Sequence, residues 1–269
     1  MIQFETITYN DLAELRTLQP EGWADIIPDI EFYLEQPFCN PVKASVDGRI
    51  AGIGTAIIFD QTAWIAHIIV GTAYRNKGIG GQVVNHLLET LRNDSIATCS
   101  LIATELGKPV YVKAGYNTVC KYLFFERAEP WIDIPVSGNV VAFKEKYRSR
   151  IYELDKKISG ENREKLLAGL LESSIVYADN NDYVLGYYLP ALKEGLIFAE
   201  TNEAGLELMK LKYSTVDKAI LPSGNVIACE FLTQHGFVQT SAKGTRMILG
   251  KGLDWKPEMV YSRIGGNLG

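Results

Sequence analysis

Histidine, cysteine and long apolar runs are scarce in this sequence of 269 residues. Three histidines make a histidine-built metal site improbable, so we expect no bound metal. The four cysteines are far apart and form no Cys-x-x-Cys pair, which indicates reduced thiols rather than a disulfide framework. No apolar run approaches the roughly 18 residues that cross a bilayer, and the first residues lack the pattern of a signal peptide. We therefore expect a cytoplasmic protein without a membrane segment.

The sequence also lacks an excess of positive charge. It contains 27 Lys and Arg against 32 Asp and Glu, for a net charge of −5 and a pI near 5.4. Such a balance provides no electrostatic footprint for nucleic acid, and we expect none as a partner. The 47% of hydrophobic residues is typical of a globular chain, and the length favours one or two domains.

The most informative stretch runs from residue 65 to residue 92. It opens with the β-branched, mostly apolar run 65–70, which predicts a strand. A glycine-rich segment, 75–81, follows. The stretch then continues with apolar residues at helical spacing, which predicts a helix with one face on a core. These residues are Ile79, Val83, Val84, Leu87, Leu88 and Leu91.

The turn between this strand and helix has the composition of an anion site. Gly78, Gly80 and Gly81 allow close approach of a ligand to the backbone. The first turn of a helix has N–H groups without intrahelical partners, and its dipole end is positive. Together with Arg75 and Lys77, these groups form a cradle suited to phosphate. The alternative is a tight turn without a ligand, because short glycine motifs are weak signals.

Two common phosphate motifs are excluded by the residues that follow. A P-loop requires Lys and Ser or Thr after its last glycine, and Gln82 is found there. The dinucleotide fingerprint requires Gly or Ala where Val83 stands. The remaining pattern, Arg-x-x-Gly-x-Gly after a strand, resembles the acyl-CoA pyrophosphate loop of the GNAT superfamily of N-acyltransferases. The residues that this resemblance assigns to acyl-CoA binding are Ile68, Ile69, Val70, Arg75, Asn76, Lys77, Gly78, Ile79, Gly80 and Gly81.

A second motif lies about thirty residues downstream. Tyr111, followed by Gly115-Tyr116, resembles the Tyr-x-x-x-Gly-Phe/Tyr segment of the same superfamily. The resemblance implies that the Tyr111 hydroxyl protonates the departing CoA thiolate, a role that suits a phenol at neutral pH. The structural alternative is a buried tyrosine with a satisfied hydroxyl.

The predicted elements of the first half follow the order β-α-α-β-β-β-α-β-α-β, a mixed sheet with helices on both faces, as in the GNAT fold. The same pattern, without its first strand, returns in the second half. We therefore predict an α/β protein of two tandem GNAT-like domains, 1–128 and 129–269, with the boundary at 127–131. The second copy has no Arg-x-x-Gly-x-Gly, so we expect it neither to bind CoA nor to catalyse.

Further matches resemble a bacterial GNAT subgroup with a degenerate C-terminal half. In the first half they are Gly22-Trp23, Ala63-Trp64-Ile65 and Tyr74-Arg75. In the second half they are Asp155, Gly160, Arg163 and Gly186-Tyr187. This resemblance implies acetyl-CoA as the donor and an amine, on a small molecule or a peptide, as the acceptor. Trp23 and Trp64 are the predicted acceptor-binding residues, since an indole ring attracts a cation.

The sequence does not identify a general base. Relatives place an acid or a histidine on the strand before the loop, at positions that correspond here to Trp64 and Ala66. His67 has the opposite parity, so its side chain is expected on the other face of the sheet. The segment before Pro37 offers several acids, for which a solvated helix face is the simpler interpretation. These acids are Glu21, Asp25, Asp29, Glu31 and Glu35.

The leading hypothesis is a transferase that moves an acetyl group from acetyl-CoA to an amine by direct attack, with backbone N–H groups near Ile68 and Val70 polarising the thioester carbonyl. The rival hypothesis is a CoA-binding regulatory module without catalysis. A nucleotide-binding domain is a third possibility, against which the two failed motifs argue. The sequence leaves the acceptor and the oligomeric state open.

Overall fold

The computed structural model describes residues 1–129 and 134–269. The strands are β1 (Ile2–Thr6), β2 (Cys39–Val46), β3 (Arg49–Phe59), β4 (Thr62–Val70), β5 (Thr98–Ala103), β6 (Asn117–Arg127), β7 (Val140–Ala142), β8 (Ile175–Ala178), β9 (Val184–Leu189), β10 (Leu196–Ala199), β11 (Lys218–Pro222), β12 (Phe237–Gly250) and β13 (Val260–Ser262). The helices are α1 (Leu12–Leu15), α2 (Ile27–Glu35), α3 (Ile79–Asn93), α4 (Lys108–Lys113), α5 (Arg148–Ser159), α6 (Glu164–Leu167), α7 (Asn202–Tyr213) and α8 (Val226–Gln234).

Two compact units make up the chain. The first unit contains Met1–Thr118 and Met247–Lys251, and the second contains Val119–Arg246 and Gly252–Gly269. This division differs from a single cut near residue 128, because most of β6 belongs to the second unit and the end of β12 belongs to the first. Pro130 and Trp131, which were part of the expected boundary, lie outside the described residues.

The sheet of the first unit has the order β1-β2-β3-β4-β5, followed by the end of β12. The first four strands are antiparallel neighbours, and β4 and β5 are parallel. Asp47 and Gly48 join β2 to β3 with φ values of 51° and 76°, as a two-residue hairpin turn requires. The element order predicted for the first half is confirmed.

The core of the first unit lies between the sheet and the apolar face of α3. The α3 residues predicted to face the core are all buried. They pack in one cluster with Ala63 and Ile65 of β4 and with Leu101 of β5. This packing fixes α3 on the sheet, and residues 71–78 connect the end of β4 to its first turn.

The second unit has two groups of strands. One contains β11, β6 and the first part of β12, and the other has the order β13-β10-β9-β8-β7. The apolar tail 259–268 packs on the second of these groups, because β13 pairs with β10 and Ile264 and Leu268 are fully buried. The leucine spacing of 162–173 predicts one helix, whereas the structure has a short α6 and a 3₁₀ turn with Gly169 between them.

A buried ion pair joins the motif residues of the second unit. The Arg163 guanidinium donates to both carboxylate oxygens of Asp155, at 3.0 and 2.5 Å, and the Tyr187 hydroxyl donates to the same carboxylate at 2.5 Å. All three side chains are buried, so removing one partner would leave an uncompensated polar group in the core. These matches to the subgroup therefore have a structural explanation within this unit.

A substitution at Gly250 tests whether the end of β12 packs in the first unit. Its φ is +92°, and a Cβ there would lie 2.2 Å from the carbonyl oxygen of Ala97. We expect Gly250→Ala to lower the free energy of unfolding by about 2 kcal/mol or more, since strain and a backbone clash add. Gly252→Ala is the matched control, because a Cβ at Gly252 meets no atom within 4 Å. Chemical denaturation measures both variants, and equal stabilities would contradict this packing.

Candidate active site

Strands β4 and β5 separate beside the glycine-rich loop. Their parallel pairing joins residues 62–64 to residues 98–100, whereas β4 continues to Val70 and β5 to Ala103. On its other edge, β4 remains paired with β3 as far as Val70. Within the described residues, the β4 edge that faces β5 therefore has backbone groups that are not paired with β5 from Ile65 onward. A wedge-shaped opening of this kind can receive an extended ligand.

A bulge at His67 interrupts β4 at this opening. Ala63 and Ile65 face the α3 core, and so do Ile68 and Val70. Residues on one face of a regular strand are an even number apart, so one extra residue stands between Ile65 and Ile68. His67 has φ of +49° and is the only non-glycine residue inside a strand with a positive φ among the described residues. The bulge changes the face to which this side chain points.

The prediction that His67 leaves the other face is wrong, and the bulge is the reason. Its Nδ1 atom lies 2.8 Å from the hydroxyl of Tyr33, and its Nε2 atom lies 3.2 Å from Oδ2 of Asp29, both on α2. Since a carboxylate only accepts, Nε2 carries the proton and Nδ1 accepts from the tyrosine. Burial lowers the pKa of His67 to about 4, so the ring is neutral near pH 7.

The loop after β4 exposes an open row of backbone amides. Asn76 and Gly78 have φ values of 62° and 79°, and the first bond of α3 is from Gln82 N–H to the Gly78 carbonyl. Within the described residues, no backbone bond outside regular elements uses the N–H groups of 76–78 as donors, and helix geometry leaves those of the first turn free. A Cβ on Gly81 would meet nothing within 4 Å, so packing does not require glycine there. The absence of a side chain at Gly81 keeps the start of α3 open to a ligand.

Two cations flank these amides. Arg75 and Lys77 are exposed, and their side chains donate to the carbonyl oxygens of Val70 and Ala73, at 3.2 and 3.0 Å. The Lys77 ammonium also lies 5.7 Å from the centre of the Tyr74 ring. These contacts hold both side chains close to the loop and its positive helix end.

Tyr111 lies on α4 and packs into the same core cluster as the buried face of α3. Its side chain is 9% exposed, and burial raises the pKa of its hydroxyl to about 12. No hydrogen bond joins this hydroxyl to another of the described residues, whereas the neighbouring Tyr116 donates to Sγ of Cys99 at 3.0 Å. Tyr111 therefore keeps a protonated hydroxyl available for a ligand.

The two predicted acceptor-binding tryptophans have opposite environments. Trp23 is 46% exposed, and its ring meets the edge of the His67 ring at 6.2 Å. Trp64 is fully buried, and its ring has no surface to offer an acceptor. The acceptor role predicted for Trp64 conflicts with this burial, because the residue lies on the paired part of β4 and not at the opening.

Unsatisfied hydroxyls mark the place where the strands separate. Ser100 is paired with Trp64, the last pair of β4 with β5, and Thr55 is paired with Ala66, directly before the bulge. Both hydroxyl oxygens are buried without a hydrogen-bond partner within the described part of the chain. Buried polar groups without partners are costly, and they are common next to ligand and water sites.

Residues 9–116 match the model of the Acetyltransferase (GNAT) family. This range contains the separated strands, the glycine-rich loop and Tyr111. The match places a GNAT-type acetyltransferase pattern in the first half of this chain. The Uncharacterized N-acetyltransferase YitH of Bacillus subtilis is 28% identical to the chain over 177 residues. That similarity covers 61% of this chain. It also covers 61% of the length of the relative.

Solved structures extend the comparison beyond the GNAT domain. One similar structure is the proposed acetyltransferase of Pyrococcus horikoshii. It superposes with a TM-score of 0.84 and 21% identity, over 100% of this chain and 96% of that chain. A tandem GNAT protein from the clavulanic acid biosynthesis pathway gives a TM-score of 0.64 and 14% identity, over 94% and 99%. The predicted fold, an α/β protein with two GNAT-like halves, is confirmed.

The second GNAT-like half closes the helix end that corresponds to the loop. The Thr201 side chain accepts the N–H of Ala204 at 3.3 Å and caps α7, whose first turn carries Glu203. The ring of Tyr261 lies against Gly205, where a Cβ would be 2.3 Å from it. A protein hydroxyl and a carboxylate thus occupy the region that three glycines leave open beside α3.

The described residues contain neither a metal cluster nor a membrane-spanning helix. In residues 1–129 and 134–269, no group of three His, Cys, Asp or Glu side chains is arranged to hold a metal ion. None of the helices in this part of the chain combines the length and the apolarity needed to cross a membrane.

Proposed function

We propose that this chain is an N-acetyltransferase that moves an acetyl group from acetyl-CoA to an amine by direct attack. The observation that supports this most is the separation of β4 from β5 directly beside an open, glycine-rich helix end. An acyl-pantetheine chain fits an opening between strands, and a diphosphate fits a helix N-terminus. Both features belong to the GNAT domain.

The residues of the GNAT domain divide the work between binding and chemistry. The amides of 76–81, with Arg75 and Lys77, hold the diphosphate. Backbone groups of Ile68, Ile69 and Val70, on the free edge of β4, hold the acyl-pantetheine chain and polarise the thioester carbonyl. The Tyr111 hydroxyl gives its proton to the departing thiolate, because no other described group uses it and its raised pKa keeps it protonated.

The second half has no CoA site in this proposal. The capped start of α7 offers one N–H fewer, and Glu203 repels an anion where the loop of the GNAT domain attracts one. We therefore assign one catalytic centre to the chain, in its first half.

The rival is a CoA-binding regulatory module. It shares the diphosphate site and differs in having no acceptor. The Tyr111 hydroxyl favours the enzyme, since it bonds to no described residue and, unlike the unsatisfied hydroxyls of Tyr122 and Tyr213, is not fully buried.

Calorimetry followed by an amine screen tests the proposed function on the full chain. We expect acetyl-CoA to bind with one site per chain. With acetyl-CoA present, a panel of a polyamine, an amino acid, an aminoglycoside, an amino sugar and a short peptide should include an amine that releases CoA thiol saturably. Binding without acceptor-dependent thiol release would support the regulatory module, and absence of binding would reject both.

A further inference from the structure

The described contacts single out one acid among the five before Pro37. Asp29 is the carboxylate that meets His67, at 3.2 Å from its Nε2 atom. Asp25 pairs with Arg16 at 3.5 Å and accepts the N–H of Ile27, so it has a capping role at the start of α2. Glu21 is exposed before α2, and Glu31 and Glu35 are exposed on α2. Asp29 alone of these is tied to the bulged strand in the contacts described.

The chain of contacts Tyr33–His67–Asp29 has one end in the core and one end in solvent. Tyr33 is 1% exposed, the His67 side chain 8% and the Asp29 side chain 30%. Both ring nitrogens of His67 already have partners, and the neutral ring is buried. A molecule arriving from solvent therefore meets the carboxylate and not the imidazole.

The backbone of His67 has a positive φ of 49°, next to the register shift between β3 and β4. A positive φ in a non-glycine residue costs of order 1 kcal/mol or more and persists where surrounding contacts enforce it. Here its result is that the imidazole reaches α2, where its Nε2 atom lies 3.2 Å from Oδ2 of Asp29. The bulge stands where β4 has already parted from β5, so this pair lies at the start of the opening.

We propose that Asp29 is the proton acceptor for the amine in the reaction proposed above, and that His67 is the positioning residue that holds its carboxylate. This inference rests on the proposed function. The exposed Trp23, whose ring centre lies 6.2 Å from that of His67, places an indole ring next to this pair. The arrangement reverses the usual order of an acid–histidine pair, because here the acid faces the substrate.

The proton balance follows from these positions. The acceptor nitrogen forms a bond to the thioester carbonyl carbon, and one N–H proton passes to a carboxylate oxygen of Asp29. As the carbon–sulfur bond breaks, the thiolate takes the proton of Tyr111. Asp29 then loses its proton to solvent and Tyr111 regains one, which leaves an amide and the free thiol of CoA.

Asp29→Asn tests the acid, because the amide keeps the shape of the side chain and an oxygen atom that can lie beside Nε2 of His67. With the best amine of the panel, we expect turnover to fall about 30-fold, while the affinity for acetyl-CoA and the KM for the amine change less than threefold. Glu31→Gln, two residues along the same helix, is the matched control and should keep its activity. Unchanged turnover in Asp29→Asn would overturn the proposal.

Chemical rescue separates a catalytic carboxylate from a structural one. In Asp29→Ala, added formate should restore a substantial part of the turnover, because the side chain is partly open to solvent. His67→Gln, which keeps an N–H for Asp29, should be more active than His67→Leu, and formate should rescue neither. Failure of formate to restore Asp29→Ala would also overturn the proposal.

The same experiments distinguish this inference from the proposed function. If the wild-type chain turns over no amine of the panel, the proposed function fails and this inference fails with it. If the wild type is active and Asp29→Asn is equally active, the proposed function stands and the role of Asp29 is rejected.

Discussion

Gly81→Asp should abolish measurable acetyl-CoA binding while leaving the fold intact. The new carboxylate has room, since a Cβ at this position meets nothing within 4 Å. An acid in the first turn of a helix is even favourable for the helix dipole. A bound diphosphate would face that charge at close range, where two like charges repel by about 4 kcal/mol at 4 Å and an effective dielectric constant of 20. We therefore expect the dissociation constant to rise at least about 100-fold by calorimetry.

Gly81→Asn is the control for shape in this experiment. It has nearly the volume of aspartate without the charge, so it should bind acetyl-CoA much more tightly than Gly81→Asp. Thermal unfolding of both variants should match the wild type within a few degrees. Equal affinities of the two variants would contradict a diphosphate site at the start of α3.

The sequence carries local information well, and α3 shows why. Its apolar residues recur at helical spacing, and each one is buried against the sheet. The Asp47-Gly48 turn is equally local, because its two positive φ values are a property of the residues in the turn. The pyrophosphate-type loop combines the two, so its place between a strand and a helix could be predicted without a structure.

Which strands pair with each other, and which way a side chain points, could not be predicted from local sequence in the same way. Residues 117–126 read as a strand, yet alternation does not state which strand lies beside it, and in the structure β6 pairs with β11. The bulge at His67 is a second case. Counting residues in twos assumes a regular strand, so one inserted residue reversed the predicted direction of a side chain. Asp29 was consequently indistinguishable from its acidic neighbours.

The burial of Trp64 is a further property that the sequence motif did not predict. Its position in the motif predicted contact with the acceptor, but burial is a property of what packs over a strand. The residue lies on the part of β4 that is still paired with β5 and is fully covered. Trp23, in the loop before α2, is the tryptophan that remains exposed.

Tyr111→Phe should reduce turnover at least about 100-fold, the lower range for loss of a general acid. The variant removes a single oxygen atom that hydrogen-bonds to no described residue, so the fold and the affinity for acetyl-CoA should not change. Because burial raises the pKa of this hydroxyl to about 12, the wild-type rate should show no loss from its ionisation below about pH 10. Steady-state kinetics with the best amine and calorimetry with acetyl-CoA measure the two quantities.

Tyr116→Phe is the matched control for this variant. Tyr116 is buried five residues away, and its ring meets that of Tyr111 at 6.0 Å. Its hydroxyl already donates to Sγ of Cys99, so its loss should cost stability and leave turnover nearly unchanged. If both variants lost the same amount of activity, the effect would reflect the packing of the aromatic pair. Turnover that falls in Tyr111→Phe alone, at constant acetyl-CoA affinity, would identify this hydroxyl as the group that protonates the leaving thiolate.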